Sequence, residues 1–364
     1  MSDAAAFDRT RDEPRLKEPG RYRGSLAVWG LLIAYASLYP FLPLRPPSGD
    51  AVVVFFTRPR YVTDFDLALN VLAYAPLGTL ACLHFRQRAP LARAVMKAAA
   101  LGIAFSFLME CVQLFIPTRI ASIYDVFANG AGALAGALVF LDPWYSLVTK
   151  PLGEARTRVV IEDEWGDAGL VLAMLWLIAQ LNPALPFFGA GNIVTEANHG
   201  TAAAILQGSG VALSICGFGL FISALLRGPQ GALRVTLVLL SVALWLKFVA
   251  ASFMLQPHFT EDWLSASRIV GLVSGILLLF PLRRLPRLAR IYLALLFVLA
   301  GALFSKIFGA YSALEEWLKL FRWPHGQLAS FATLTQFLHE AWPFLALAFL
   351  IALFFHARRH PAAA

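Results

Sequence analysis

Residues 93–116 read RAVMKAAALGIAFSFLMECVQLFI, an apolar run whose charged residues are Arg93, Lys97 and Glu110. A hydrocarbon core about 30 Å thick is crossed by roughly 20 helical residues, so this run is long enough to span a membrane. The same criterion selects ten runs along the chain, at 25–44, 66–86, 93–116, 124–146, 168–188, 203–226, 231–256, 264–282, 290–309 and 337–357. The sequence therefore predicts an all-α fold, a polytopic transmembrane helical bundle of about ten spans.

The composition agrees with this class and excludes others. Hydrophobic residues make up 59% of the 364 residues, and charged residues make up 14%, whereas an ordinary soluble domain has about 25% charged residues. A soluble enzyme, a disordered chain and a fibrous protein are therefore excluded. The net charge of +8 reflects Lys and Arg that flank the runs, so we predict no nucleic-acid partner. The three cysteines lie in apolar runs and the histidines form no close ligand pair, so we predict no disulfide, no metal and no cofactor.

The distribution of Lys and Arg predicts how the chain is oriented. In the ten-span scheme, the loops on one side hold 21 of these residues and the loops on the other side hold six. Because cytoplasmic loops have the excess of Lys and Arg, both termini are predicted to be cytoplasmic. The chain then divides into a polar tail (1–24), a four-span domain (25–146), a cytoplasmic linker (147–167), a six-span domain (168–357) and a second tail (358–364).

Polar residues inside the spans concentrate in the four-span domain, where they repeat at helical spacing. The three stripes are Asp66, Asn70 and Tyr74 in the second span, Ser106, Glu110 and Gln113 in the third, and Asp125 and Asn129 in the fourth. Because residues three and four apart share one helix face, each span presents its polar residues on one side. The rise of about 1.5 Å per residue places all three faces at a similar depth in the outer leaflet, below the hairpin residue Arg119.

Glu110 is the most informative member of these stripes. An unpaired carboxylate inside a bilayer costs at least a few kcal/mol, so we expect a partner or a function. Glu110 could pair with Arg119, bond to Gln113 or Asn129, or stay protonated as a general acid or proton relay would. A structural interpretation stays open, because Ser122 and Asp125 have the spacing of a capping box and Arg119 could simply neutralise Glu110. Charges in the six-span domain are explained by structural pairing or snorkelling, namely those of Lys247, Arg268, Lys306, Glu315 and Glu340.

Two stretches of the four-span domain resemble signatures of the VanZ-like membrane protein family. Residues 64–78, DFDLALNVLAYAPLG, are similar to the first signature, and residues 110–138, ECVQLFIPTRIASIYDVFANGAGALAGAL, are similar to the second. The second stretch has the Glu-x-x-Gln, the Arg in the turn, the Ser-x-x-Asp, the Asn and the Gly-x-x-x-Gly in family order. The resemblance covers about 25–146 and marks Asp64, Asn70, Glu110, Gln113, Arg119, Asp125 and Asn129 as family-pattern positions.

The resemblance implies a cellular location and a general role, but it does not imply a particular reaction. The founding member of the family is associated with low-level resistance to teicoplanin, a glycopeptide antibiotic that acts on the cell envelope. By resemblance we expect a protein of the bacterial cytoplasmic (inner) membrane with a role in the envelope or in antibiotic resistance. Many relatives have Lys and His in the first signature where this chain has Phe65 and Asn70, which argues against a mechanism with that His as a base.

Three functions of different classes are compatible with these residues, and whether the protein is an enzyme stays open. The first is an intramembrane enzyme for a polyprenyl-phosphate-linked envelope precursor, with membrane lipids as its surroundings. Its catalytic residues would be Glu110, Asp125 and Arg119, and its substrate-binding residues would be Asp64, Asn70, Gln113, Asn129, Arg58 and Arg60. In that hypothesis the arginines hold a phosphate through charge-assisted hydrogen bonds. The second is a transporter or flippase in which Glu110 titrates, and the third is a non-catalytic protein that binds a drug or partner at the outer surface.

Overall fold

The structure is a computed structural model that describes residues 22–57, 64–188, 201–255, 265–308 and 325–359. Throughout these ranges the ordered elements are helices, and an isolated bridge pairs Val160 with Leu226. The chain divides into two compact units, Met1–Leu152 and Gly153–Ala364. The all-α fold class that the sequence predicts is confirmed.

The first unit contains the polar stripes. Its described helices are α1 (Arg23–Leu38), α2 (Gly49–Phe56), α3 (Asp64–Arg86), α4 (Leu91–Gln113) and α5 (Ile123–Leu138), and a π-helical turn follows at Tyr145–Thr149. The next helix, α6 (Lys150–Val159), crosses the boundary between the units. Helix α2 lies in a predicted loop, and it begins at Ser48, whose hydroxyl accepts a hydrogen bond from the backbone N–H of Ala51. Such an N-cap is typical of a helix start.

Small residues bring α3 and α5 into backbone contact. A Cβ atom added to Gly78 would lie 1.9 Å from the carbonyl oxygen of Ala133, and one added to Gly136 would lie 1.8 Å from that of Ala75. The hydroxyl of Thr79 also donates to the carbonyl of Gly136 at 2.9 Å. Because lipid gives little hydrophobic drive for helix association, such close packing is what holds membrane helices together. It also places the polar faces of α3 and α5 opposite each other.

Helix α1 packs against the same pair of helices. The indole N–H of Trp29 donates to the carbonyl of Ala73 in α3 at 2.9 Å. Buried Ile33 packs with Tyr74, Leu77 and Ala133 in one hydrophobic cluster. These contacts fix the level of α1 beside the polar face of α3.

The second unit is built around a buried central helix. Its described helices after α6 are α7 (Glu164–Ala179), α8 (Thr201–Leu225), α9 (Ala232–Met254), α10 (Ala266–Leu282), α11 (Arg287–Phe308) and α12 (His325–Arg359). About 67% of the apolar stretch of α8 is buried inside the structure. Glycines allow the neighbouring helices to approach it closely. A Cβ atom on Gly271 of α10 would lie 2.4 Å from the carbonyl oxygen of Gly208, and one on Gly217 would lie 2.8 Å from the backbone nitrogen of Val298.

Charged groups in the second unit have structural partners. The ammonium of fully buried Lys247 donates to the carbonyls of Asn182 at 2.7 Å and Leu185 at 2.9 Å. Lys306 and Glu340 form an ion pair at 3.1 Å. These contacts agree with the structural interpretation for Lys247, Lys306 and Glu340, whereas Glu315 lies outside the described residues.

Six described helices contain segments that are long and apolar enough to cross a membrane. These are Leu67–Arg86, Leu91–Gln113, Ala204–Leu225, Pro229–Met254, Arg287–Phe304 and Ser330–Arg359. Helices α1, α5, α7 and α10 have 16 or 17 residues, which is shorter than the roughly 20 residues of a full crossing. Each of the ten predicted runs overlaps a helix, and the apolar helices indicate an integral membrane protein. Ten crossings and cytoplasmic termini stay predictions.

Candidate functional site

The polar stripes of α3, α4 and α5 meet in one cluster, which we call the acidic cluster. Its members are Asn70, Tyr74, Ser106, Glu110, Ser122, Asp125 and Asn129. The first two lie in α3 and the next two lie in α4, whereas Ser122 is the N-cap of α5 and Asp125 and Asn129 lie in its first two turns. The cluster therefore joins three helices of the first unit at one level.

Glu110 is buried, with 3% of its surface exposed, and it holds the start of α5. Its Oε2 atom accepts a hydrogen bond from the backbone N–H of Ser122 at 2.8 Å. The hydroxyl of Ser122, the N-cap of α5, accepts from the backbone N–H of Tyr124 at 3.2 Å. A capping box would have supplied the acceptor for the N-cap N–H from the third helical residue, Asp125. Here Glu110 of α4 supplies it, and the N-terminal end of a helix favours a negative charge.

Asp125 faces α3. Its Oδ1 atom accepts a hydrogen bond from the side-chain amide of Asn70 at 2.9 Å. Both side chains are only partly buried, whereas Glu110 and Asn129 are buried. Asp125 and Asn70 therefore form the accessible edge of the acidic cluster. The carboxylate of Glu110 lies deeper in the protein.

The deep end of the cluster contains two polar atoms without a hydrogen bond in the described part of the chain. The amide nitrogen of Asn129 donates to the hydroxyl of Ser106 at 2.8 Å, which leaves the Oδ1 atom of Asn129 without a donor. The hydroxyl of Tyr74 lies beside the hydroxyl of Ser106 without a hydrogen bond of good geometry, and it is close enough to Glu110 and Asp125 to interact electrostatically. Asn129 and Tyr74 are 5% and 2% exposed. A buried polar atom without a hydrogen bond lowers the stability of a fold by about 1–3 kcal/mol. The Oδ1 atom of Asn129 and the hydroxyl of Tyr74 therefore need an explanation.

Arg119 and Gln113 hold the end of α1. Arg119 donates from Nε to the carbonyl of Tyr39 at 2.9 Å and from Nη2 to that of Ala36 at 2.7 Å. The side-chain amide of Gln113 donates to the carbonyl of Ser37 at 3.0 Å. The last four carbonyls of a helix have no partner within the helix, and a cation there also interacts favourably with the helix dipole. Two of the residues that the sequence assigns to a site thus fasten the hairpin between α4 and α5 to α1.

The remaining predicted site residues are described only in part. Arg58 and Arg60 lie outside the described residues. Asp64 begins α3, but its side chain also lies outside the described part of the chain. Among the predicted residues, a hydrogen bond brings Asn70 and Asp125 together, and two others join Glu110 and Asn129 to the same three helices through Ser122 and Ser106.

The sequence does not assign Ser106, Tyr74 and Ser122 to the candidate site. Ser106 and Tyr74 already stand on the polar stripes, one turn from Glu110 and Asn70 respectively, so helical spacing was the signal that could have included them. Ser122 was recognised as a cap, and its role as the partner of Glu110 depends on a contact between two helices. Within the described residues no group of three or more His, Cys, Asp or Glu is suited to a metal ion.

The chemistry of the acidic cluster is that of an acceptor-rich site. Two carboxylates and the Oδ1 atom of Asn129 can accept hydrogen bonds, and the hydroxyl of Tyr74 can donate one. Such a set suits hydroxyl or ammonium groups. A carboxylate pair at different depths could also exchange a proton with a bound group.

Comparison with known proteins supports the resemblance for this part of the chain. Residues 26–147 match the family model described as VanZ/LLP1, which is about a third of the chain and lies within the first unit. This range contains every helix that contributes to the acidic cluster. No curated protein and no solved structure matches the chain.

Proposed function

We propose that this VanZ-type membrane protein binds the hydroxyl- or ammonium-bearing part of a cell-envelope lipid or glycopeptide-type ligand in the acidic cluster of its first unit. One observation supports this proposal above the others. The Tyr74 hydroxyl and the Asn129 Oδ1 atom are buried beside two carboxylates without a hydrogen bond in the described part of the chain. A ligand that offers both a donor and an acceptor would remove the cost of both atoms.

The charges decide which part of the ligand enters the cluster. Glu110 and Asp125 would repel a phosphate, and the nearby cation Arg119 donates to two carbonyls of α1. We therefore place a sugar hydroxyl or an amine of the ligand against Asp125. The phosphate of a polyprenyl-linked precursor would lie outside the cluster.

The depth of the residues defines an entry route. Asp125 and Asn70 are partly exposed, so the ligand meets these side chains first. Glu110, Tyr74 and Asn129 would then line the far end. If the termini are cytoplasmic, as the loop charges predict, this edge faces the outer side of the membrane.

Binding to purified protein in nanodiscs tests this function. The probes are a fluorescent undecaprenyl-pyrophosphate disaccharide-peptide and fluorescent teicoplanin, titrated separately. At least one probe should bind saturably, and Asp125→Asn should weaken that binding about tenfold, since it removes one charged hydrogen bond. The matched control is Asp142→Asn, because Asp142 is an exposed acidic residue of the same unit outside the cluster.

The proposal requires that Asp125→Asn weaken probe binding more than Asp142→Asn does. Equal affinities for Asp125→Asn and Asp142→Asn, or the absence of saturable binding with either probe, would remove its basis. Mass spectrometry of the incubated precursor adds the chemical readout. Turnover that disappears in Glu110→Gln while binding persists would assign an acid–base role to Glu110, and binding without turnover would describe a non-catalytic receptor.

A further inference from the structure

Two connections at one end of the second unit are rich in arginine and contain no acidic residue. Residues 226–234, LRGPQGALR, lead from α8 into α9, and residues 282–290, LRRLPRLAR, lead from α10 into α11. Arg283 joins the two, because its Nη1 atom donates a hydrogen bond to the carbonyl of Gln230 at 3.5 Å. The six arginines of these connections therefore lie at the same end of the four helices.

Two of the six arginines hold the unit together. Arg227 pairs with Glu162 at 2.9 Å and donates to the carbonyl of Val160 at 3.2 Å. Arg290 is buried and donates to the carbonyl of Ser223 at 2.8 Å. These contacts give both side chains a structural role, so we look for a ligand-binding role among the other arginines.

Three of the other arginines, Arg234, Arg283 and Arg284, form what we call the arginine cluster. Within the residues that the structure describes, no carboxylate pairs with a member of this cluster. The guanidinium carbons of Arg283 and Arg284 lie 4.7 Å and 5.3 Å from the centroid of the Phe280 ring, so one ring holds both cations. Arg234 lies about one turn beyond Gln230, the residue that Arg283 contacts. Three positive charges thus converge from two connections.

The arginine cluster lies where the apolar surface of α9 and α10 ends. Phe280 is exposed in the last turn of α10, just before Arg283. Leu237 and Val238 are exposed on α9, which contains a membrane-spanning segment, and they come directly after the turn of Arg234. Because exposed apolar residues of a spanning helix face lipid, the cluster lies at the level of the lipid head groups. The Lys and Arg count predicts that this is the cytoplasmic boundary.

The chemistry of the arginine cluster selects phosphate groups. A guanidinium is a planar fork that donates paired hydrogen bonds to phosphate oxygens, and stacking on a ring leaves the N–H groups at its edge available. Three cations without a carboxylate partner attract an anion, and a lipid with two phosphates neutralises more of this charge than a lipid with one. A zwitterionic lipid also has a cation, which the arginines repel. Basic clusters at the cytoplasmic ends of membrane helices are a common recognition site for anionic lipids.

We propose that the arginine cluster binds an anionic phospholipid with two phosphates from the surrounding leaflet. One phosphate lies against Arg283 and Arg284, the other lies against Arg234, and the acyl chains follow the exposed apolar residues of α9 and α10. The same arginines that orient the chain in the membrane thereby also recognise a lipid. This site belongs to the second unit and is independent of the ligand proposed for the acidic cluster.

Lipid retention by the full-length protein tests the proposal. The protein is delipidated in detergent and offered cardiolipin, phosphatidylglycerol or phosphatidylethanolamine, and bound lipid is counted by native mass spectrometry. Cardiolipin should be retained at least tenfold better than phosphatidylethanolamine, and phosphatidylglycerol should lie between these two lipids. Equal retention of cardiolipin and phosphatidylethanolamine would overturn the proposal, and equal retention of cardiolipin and phosphatidylglycerol would overturn the assignment of two phosphates.

Removal of one charge locates the site. Arg284 is exposed, so Arg284→Gln should leave the fold intact and lower cardiolipin retention about fivefold. The matched control is Arg358→Gln, because Arg358 is an exposed arginine of the same unit that lies outside the two connections. Equal retention of cardiolipin by these two variants contradicts the site.

A charge-conserving change separates lipid recognition from the orientation of the chain. Arg284→Lys keeps the positive charge that orients the loop, but an ammonium cannot form the paired hydrogen bonds of a guanidinium. This variant should therefore retain less cardiolipin than the unaltered protein, while a reporter fused after Leu288 gives the same signal in both. Unchanged retention in Arg284→Lys would contradict recognition of the phosphate by the guanidinium.

A location measurement needs no variant. Cardiolipin with a photoreactive group next to its phosphates should label peptides from the start of α9 or the end of α10 in the unaltered protein. Labelling confined to other helices contradicts the proposal.

Discussion

Replacement of Tyr74 by Phe separates the two explanations of its buried hydroxyl. The side chain is 2% exposed, and its hydroxyl makes no hydrogen bond in the described part of the first unit. If that hydroxyl forms its hydrogen bond only with a ligand, its removal eliminates an unsatisfied buried group from the ligand-free protein. We therefore expect Tyr74→Phe to stabilise the ligand-free protein by about 1 kcal/mol, the lower end of the cost of such a group. For a domain of this size that corresponds to a rise of about 2–4 °C in the melting temperature.

The same change should have the opposite effect on binding. A ligand that accepts a hydrogen bond from Tyr74 loses it in Tyr74→Phe, so its affinity should fall about tenfold, or about 1.4 kcal/mol. Thermal unfolding in detergent, with and without the bound probe, measures both effects in one series. The control is Tyr124→Phe, because Tyr124 is 42% exposed and should change neither quantity. A Tyr74→Phe protein that melts several degrees lower would refute the reasoning, because the hydroxyl would then be satisfied within the fold.

Three further predictions follow from the same contacts. Glu110→Ala leaves the buried N–H of Ser122 without its acceptor and should lower the stability measured by thermal unfolding by about 1–3 kcal/mol. Glu110→Gln keeps an acceptor and should melt near the temperature of the unaltered protein. Equal melting temperatures of the two variants would show that this bond is unimportant. Gly136→Ala should destabilise the protein by about 1–3 kcal/mol because its Cβ atom would meet the Ala75 carbonyl, whereas Gly24→Ala meets nothing within 4 Å and should be neutral; a neutral Gly136→Ala would contradict the close packing of α3 and α5. A reporter fused after Leu288 should report the cytoplasm, and a periplasmic signal there would refute the ten-span topology.

The helices were predictable because their signal is local. Each apolar run contains enough consecutive residues to define a helix by itself, and all ten predicted runs overlap helices of the structure. Their ends were less predictable. The last predicted run starts at residue 337, whereas α12 already begins at His325, and the apolar run 25–44 continues past the end of α1 at Leu38. Hydropathy records where residues are apolar, and α12 extends well beyond its apolar part.

The acidic cluster was predictable in membership but only partly in its bonds. Spacings of three and four residues put Glu110, Asp125 and Asn129 on polar faces, and the close packing of α3 with α5 brings two of these faces together. The partner of each side chain depends on which helices are neighbours, and no spacing within one helix contains that information. The capping box rule favours Asp125 as the partner of the Ser122 N–H because it considers one helix, whereas Glu110 reaches that N–H from α4.

The contacts of Arg119 change how the acidic cluster should be understood. Charge alone suggests that an arginine above two carboxylates neutralises these groups or holds a phosphate. Its charge does act on Glu110, and its hydrogen bonds to the carbonyls of Ala36 and Tyr39 also fasten one end of the α4–α5 hairpin to α1, while Glu110 fastens the other end through Ser122. A hairpin held at both ends keeps Asp125 and the start of α5 in one position before any ligand arrives. Because a site that is already ordered loses less conformational entropy on binding, these two residues would serve a ligand by holding the cluster in shape, even if only Asp125 contacts it.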